Sequence, residues 1–403
     1  METLQRKKAP GSQFLIPSAK QRLIGEHGGG NGPVMIFIGG IHGNEPAAVI
    51  ALEKVLHTIR QINPPFRGTL AAIRGNLPAL SRSVRFIEED LNRIWTPERM
   101  RQLSPNAAFH YDESVERREQ RQLFKLLQTY FRNKQNPIYL IDLHTTSARS
   151  APFAILADTI RNRNLALHLR APLILGLEEL LNGTIMNYAG DLGICTLAFE
   201  SGQHEEEASV DNHVAAIWLL LTAAGCIERE NVPEFKNHDA RLSLAANSLP
   251  RVFEIRLRYG IREGEEFRME LGYENFQPIS RGELLANNRD GEIRSDRRGN
   301  IFMPLYQSLG NDGFFIIRRV HYFWLKVSEW LRKLHFDKLL PVLPGVQRNP
   351  GRENEFIVNL KIARWYAPEI LHLLGYRKHR TEKGRLIVAR RKYDIRGPET
   401  LNR

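Results

Sequence analysis

Cysteine is scarce. The 403 residues contain 2, Cys195 in GICTL and Cys226 in AAGCI, both within apolar stretches that bury small residues. A disulfide framework is thereby excluded, and both thiols read as reduced and structural. No apolar run approaches the roughly 20 residues that span a bilayer. The opening METLQRKKAP lacks the apolar core of a secretory signal, so a cytoplasmic protein is expected. Internal repeats and low-complexity segments are also missing.

What is present is ordinary globular composition, with 42% hydrophobic and 25% charged residues. The length exceeds what one core usually organises, so more than one domain is expected. The formal charge is +12, and its placement is uneven. From residue 316 onward there are 20 Lys and Arg against 8 Asp and Glu, which leaves 37 of each sign for the preceding 315 residues. Attraction to an anionic partner therefore belongs to the tail and not to the body.

Residues 33–40 (PVMIFIGG) form a continuous apolar run ending in glycine, the pattern of a strand buried on both faces. Pro46 suits the start of a helix, and 47–60 has apolar residues at helical spacing. Similar strand signatures recur at 68–73, 137–143, 152–156 and 196–199, with helical segments at 115–131 and 210–225. Alternation of this kind predicts an α/β sheet with helices on both faces and sites beyond the carboxyl ends of the strands. After about residue 235 short strand-like pieces (252–261, 278–285) alternate with turn signals at Asp290-Gly291 and Gly299-Asn300, which predicts a small all-β domain. Residues 320–334 carry apolar side chains at the spacing of an amphipathic helix. The expected division is a catalytic α/β domain over 1–235, a small β domain over 236–315 and a basic extension over 316–403.

Four polar residues sit where buried strands end: His42 and Glu45 in GGIHGNEP, His144 in LIDLH, and Glu200 in LAFESG. If the sheet is parallel, all four reach one rim. Two imidazoles and a carboxylate with an open fourth position form a catalytic zinc set. Pro46 disfavours helical geometry at Glu45, which places this His-x-x-Glu pair in a loop, unlike the helical zinc motif of other proteases. Taken singly, a histidine ending a strand is more often a hydrogen-bonded core residue; the joint pattern favours metal. Asp142 shares a strand face with His144 and suits an acceptor for its N–H. Glu200 follows three apolar residues, where burial raises a carboxyl pKa toward that of a proton shuttle. The charged stretch RFIEEDLNR from Arg85 to Arg93 looks alone like solvated surface. A deacylase of charged substrates nonetheless needs guanidinium groups for a developing oxyanion and a substrate carboxylate.

Together GGIHGNEP, the stretch from Arg85 through Asp90, Asn92 and Arg93, Asp142-Leu-His144 and Phe199-Glu200-Ser-Gly resemble the succinylglutamate desuccinylase and aspartoacylase family of the zinc carboxypeptidase clan. The resemblance covers roughly residues 33 to 225, and more loosely the β segment to about 315. It implies a zinc-carboxypeptidase-like mixed sheet flanked by helices, and one zinc per chain held by His42, Glu45 and His144. It also implies Glu200 as general base, Arg85 polarising the scissile carbonyl, and Asn92 with Arg93 gripping a substrate carboxylate. The substrates implied are N-acyl amino acids. Tyr306 could reach the cleft from the β segment, though a buried structural tyrosine is the plainer reading.

Two other readings compete. A metallocarboxypeptidase or peptide amidase would use the same zinc and the same arginine grip. Alternatively the basic tail, with Arg377-Lys-His-Arg380 and Arg390-Arg-Lys392, would make this a nucleic-acid or membrane-binding protein carrying an inactive hydrolase domain. Apolar residues in 356–367 and 370–376 ask for burial. Packing on the body or a homo-oligomer contact is the simpler role for the 320–334 helix.

Overall fold

The computed structural model describes residues 21–103, 113–132, 135–246, 249–307, 309–350, 352–363, 367–382 and 385–400. The opening residues read above for a signal lie outside these.

The chain begins with β1 (Leu23–Gly28), then β2 (Val34–Gly39), the helix Ala47–Ile62 and β3 (Thr69–Arg74). After the helices Leu77–Arg82 and Val115–Phe131 come β4 (Ile138–Thr146), β5 (Phe153–Leu156), β6 (Leu173–Leu175), β7 (Cys195–Gln203) and the helix Glu207–Ala223. The glycine-punctuated segment supplies β8 (Val252–Gly260), β9 (Arg268–Met269), β10 (Pro278–Ile279), β11 (Leu284–Asn288), β12 (Gly291–Arg294), β13 (Gly299–Phe302) and β14 (Asp312–Arg319). Last are the helix Tyr322–Lys333 and β15 (Val346–Asn349), β16 (Arg352–Asn359), β17 (Tyr376–Glu382) and β18 (Arg385–Arg390).

Eleven strands share one mixed sheet in the order β1-β3-β2-β4-β7-β5-β6-β8-β14-β13-β10. Its centre is parallel: β2 pairs with β3 and β4, and β4 with β7. Val34 to Ile38 and the inner residues of β4 and β7 are buried on both faces, as their unbroken apolar runs require. The helices Ala47–Ile62 and Glu207–Ala223 cover one face through Leu52, Val55, Ala216 and Leu220, and Val115–Phe131 covers the other through Leu123 and Leu127.

The β segment is not wholly separate from this sheet. β8 adds in parallel to β6, and β14, β13 and β10 follow antiparallel, while β9, β11 and β12 make a small antiparallel sheet of their own. Gly299-Asn300, expected as a turn, opens β13, because Asn300 and Ile301 pair with Ile317 and Ile316.

The basic extension is folded. β15 to β18 form an antiparallel sheet over a core that includes Phe356, Val358, Leu371, Leu374 and Val388. It docks on the body through buried charge. Arg332, with a side chain 0% exposed, donates to the Asp158 carbonyl (2.8 Å) and carboxylate (2.8 Å) and pairs with Asp394 (3.1 Å). Arg391 is paired with Glu178 and Glu179. Burial alone would raise Asp158, but Arg163 and Arg332 hold its carboxyl well below the usual range. Truncating Arg332 leaves two buried carboxylates short of a partner. Arg332→Met is therefore expected to lower unfolding free energy by about 3–5 kcal/mol in urea titration, whereas Lys333→Met on the exposed face should change it by less than about 1 kcal/mol.

Candidate metal centre

His42 and Glu45 occupy the loop between β2 and the following helix. Gly40 takes a φ of 71°, which a side chain would strain. Gly43 lies so near the backbone of Ala79 that a Cβ would sit 2.0 Å from its carbonyl carbon, and its N–H donates to the Arg85 carbonyl (3.1 Å). The loop is thus clamped against the segment that carries Arg85. His144 and Glu200 differ from the strand-end expectation. Both lie inside strands, directly opposite each other in the β4–β7 register, because these strands go on pairing to Thr146 and Gln203.

The three predicted ligands meet. One donor atom from each of His42, Glu45 and His144 lies within 4.8 Å of the others, and all three residues are buried. The Glu45 carboxylate faces Nδ1 of His42 at 2.9 Å and Nδ1 of His144 at 3.0 Å. Each imidazole turns its other nitrogen to a carboxylate: His144 Nε2 lies 2.8 Å from Asp142, and His42 Nε2 lies 3.3 Å from Asp90. An imidazole that donates from one nitrogen presents a lone pair on the other, and this orientation is what a metal-binding histidine requires. The donor set fits Zn²⁺, which takes nitrogen and carboxylate ligands together.

Electrostatics follow the same geometry. Burial would raise Glu45, but the two imidazoles hold it well below the carboxylate norm. Burial would lower His144, yet Asp142 and Glu45 keep it well above the histidine norm. Glu200 goes the other way. Burial pushes it up to about 8, with His144 opposing and Glu45 and Asp142 adding to the rise. Its Oε2 is buried without a hydrogen-bond partner.

These groups open on a cleft of about 420 Å³ that Arg85, Asn92 and Arg93 also line. Arg85 approaches Glu45 at 3.7 Å and Asp90 at 3.2 Å. Arg93, partly exposed, lies 3.8 Å from Asp312. The Asn92 side chain is engaged on both atoms, donating to Asp142 (3.0 Å) and accepting from the Ile185 N–H (3.0 Å). Tyr306 does not reach the cleft: its hydroxyl donates to the Glu270 carbonyl (2.8 Å) and accepts from the Tyr273 N–H (2.9 Å).

To three contributors the sequence pattern assigned no role. Asp90 holds His42. Glu116 is fully buried on the helix Val115–Phe131, where it accepts the N–H groups of Ile87, Glu88 and Glu89 at 2.7, 3.1 and 3.2 Å and so fixes the charged stretch that looked solvated. His204 lies in a run of glutamates, yet its Nδ1 is 2.7 Å from the Thr145 hydroxyl beside the site. A buried acidic residue opening a helix, as Glu116 does, is the one feature a reader of the sequence could have questioned.

Residues 31–216 match the model of the succinylglutamate desuccinylase/aspartoacylase catalytic domain. The protein named succinylglutamate desuccinylase from Serratia proteamaculans is 27% identical over 270 residues, which span 64% of this chain and 76% of that protein. Two solved structures share the fold. Succinylglutamate desuccinylase from Vibrio cholerae has a TM-score of 0.52 at 20% identity, covering 72% of this chain and 82% of that one. The succinylglutamate desuccinylase/aspartoacylase from Rhodobacter sphaeroides has a TM-score of 0.54 at 17% identity, covering 74% and 88%. No helix among the described residues is long and apolar enough to cross a membrane. Residues 31–216 thus carry a catalytic domain of the succinylglutamate desuccinylase/aspartoacylase family, a family of hydrolases.

Proposed function

We propose that the chain is a zinc-dependent amidohydrolase that cuts an N-acyl amino acid, or a similar small amide bearing a carboxylate, into a free carboxylate and a free amine. The observation that carries this reading is the pairing of each imidazole's far nitrogen with a carboxylate, which leaves both Nδ1 atoms and Glu45 aimed at one point.

His42, Glu45 and His144 would hold one zinc, which when bound supplies Lewis acidity toward the amide carbonyl and toward water. Asp142 and Asp90 fix the two rings. Glu200 takes a proton from water as general base and returns it to the departing nitrogen; its unpartnered oxygen and raised pKa suit both halves of that transfer. Arg85 sits beside Glu45 and steadies negative charge developing on the carbonyl oxygen. Arg93 grips the substrate carboxylate through its guanidinium. Asn92 completes that wall and, through Asp142, the setting of His144. The chain acts in the cytoplasm under this reading, as the absence of a bilayer-length apolar helix among the described residues permits.

The test is an amine-release assay comparing a panel of N-acyl amino acids with dipeptides. Turnover of the acyl amino acids is expected, with Arg93→Ala raising KM on the order of tenfold or more through loss of a charge-assisted contact. Activity confined to peptides would overturn the substrate assignment in favour of a carboxypeptidase with the same zinc.

A further inference from the structure

The helix Tyr322–Lys333 is turned inside out. Its buried face carries Leu325, Ser328 and Arg332, while Phe323, Trp330 and Leu334 are 58%, 57% and 53% exposed. These three stand at i, i+7 and i+11, one stripe along the helix, with half-buried Val327 between them. The stripe cannot roll inward. Ser328 donates to the Leu373 carbonyl at 2.6 Å, and the Arg332 guanidinium is fastened to Asp158, Asp394 and the His372 carbonyl. The surface continues past the helix, since Trp330 and Phe336 rings lie 5.5 Å apart and Leu339 and Val342 are 57% and 79% exposed. Lys326, Lys333 and Lys338 are exposed around the stripe.

We propose that this aromatic and cationic face of the extension is a docking surface for a membrane bearing anionic lipid. A helix of 12 residues is about 18 Å long, well short of the roughly 30 Å of a hydrocarbon core, so it lies in the interface plane. Trp and Phe flanked by lysines match that depth, with rings at the headgroup boundary and ammonium groups among phosphates. Charge selects this occupant. The chain from residue 316 onward has 20 basic against 8 acidic residues, so a second copy packed on the same face would set like charges against each other. A nucleic-acid backbone would match the lysines but leave Leu334, Leu339 and Val342 in water.

Co-sedimentation of the full, metal-loaded chain with phosphatidylglycerol/phosphatidylcholine vesicles, and with phosphatidylcholine alone, tests this. Binding to the anionic vesicles only, weakened by high salt, is expected. The Phe323→Ser/Trp330→Ser/Leu334→Ser variant should bind on the order of 100-fold more weakly, with metal content and far-ultraviolet circular dichroism unchanged because the three side chains face solvent. Lys326→Glu/Lys333→Glu should also lose binding and serves as an independent check on folding artefacts. A parent that ignores anionic vesicles, or a triple variant that binds like the parent, overturns the proposal. So does a parent dimer that the triple substitution dissociates while vesicles stay unbound, or retention of a duplex oligonucleotide in place of vesicles.

Discussion

Replacing Glu200 by Gln is expected to lower kcat by roughly 10²–10⁴ while the chain stays folded and keeps its metal. The amide has nearly the volume of the carboxyl, and Glu200 is outside the ligand set, so zinc content should not change. What disappears is a buried carboxylate that lies in the cleft beside the three candidate ligands and carries no hydrogen bond on Oε2. In the proposed function substrate contacts fall to Arg93 and Arg85, so KM is expected to move little. Zinc analysis beside steady-state kinetics reads both effects, and a Gln variant with near-parental kcat would remove Glu200 from proton transfer. A pH effect accompanies the substitution. Because the folded metal-free chain raises Glu200 to about 8, its folded state holds a proton that the unfolded chain releases near the ordinary carboxyl value. Stability from this group is complete at low pH and is lost as pH climbs toward 8. In chelator-treated protein the Tm of Glu200→Gln should therefore gain on that of the parent between pH 5 and 8.

The second large effect is on metal. The parent should purify with about one zinc per chain, and His144→Ala with little, since two remaining protein ligands hold zinc weakly. Asp142→Asn separates ligation from support. It keeps all three ligands but removes the carboxylate 2.8 Å from His144 Nε2, and affinity should fall roughly 10–100-fold without being abolished. The elevated pKa of His144 in the metal-free cluster adds that zinc must displace a proton there, so affinity weakens on acidification and calorimetry in buffers of different ionisation enthalpy should register proton release. Stoichiometric zinc in His144→Ala would place the metal elsewhere.

The central α/β core was legible because unbroken apolar runs such as VMIFI and YLIDL can only be strands covered on both faces, and 115–131 is a helix over its whole predicted span. β1 and β6 were not. LIGEHG is half-exposed at the sheet edge, and β6 has three residues, too few for any periodicity. The cluster of His42, Glu45 and His144 was legible from residue type and motif, and the residues that support it only in part. Asp142 betrays itself by standing two residues from His144, whereas Asp90 reaches His42 across 48 residues and Glu116 reaches the 87–89 amides from another helix. Contacts set by tertiary packing leave no local trace. The same holds for the tail: its charge count was visible, but charge alone does not say that Arg332 points in and Trp330 out.

Glu178 belongs to two places at once. It lines the cleft beside His42, Glu45 and His144, and it is a carboxylate that Arg391 of the extension holds. Residue 316, where the charge excess begins, also falls within β14 of the central sheet. The C-terminal portion therefore behaves less like a detachable passenger than like a tie-rod through the wall of the reaction chamber. Cutting it away would free a buried acid in that wall and open the sheet edge behind it. A truncated chain that failed in catalysis would report on this shared masonry before it reported on any partner of the tail, and point substitutions on the outer face are the cleaner way to separate the two.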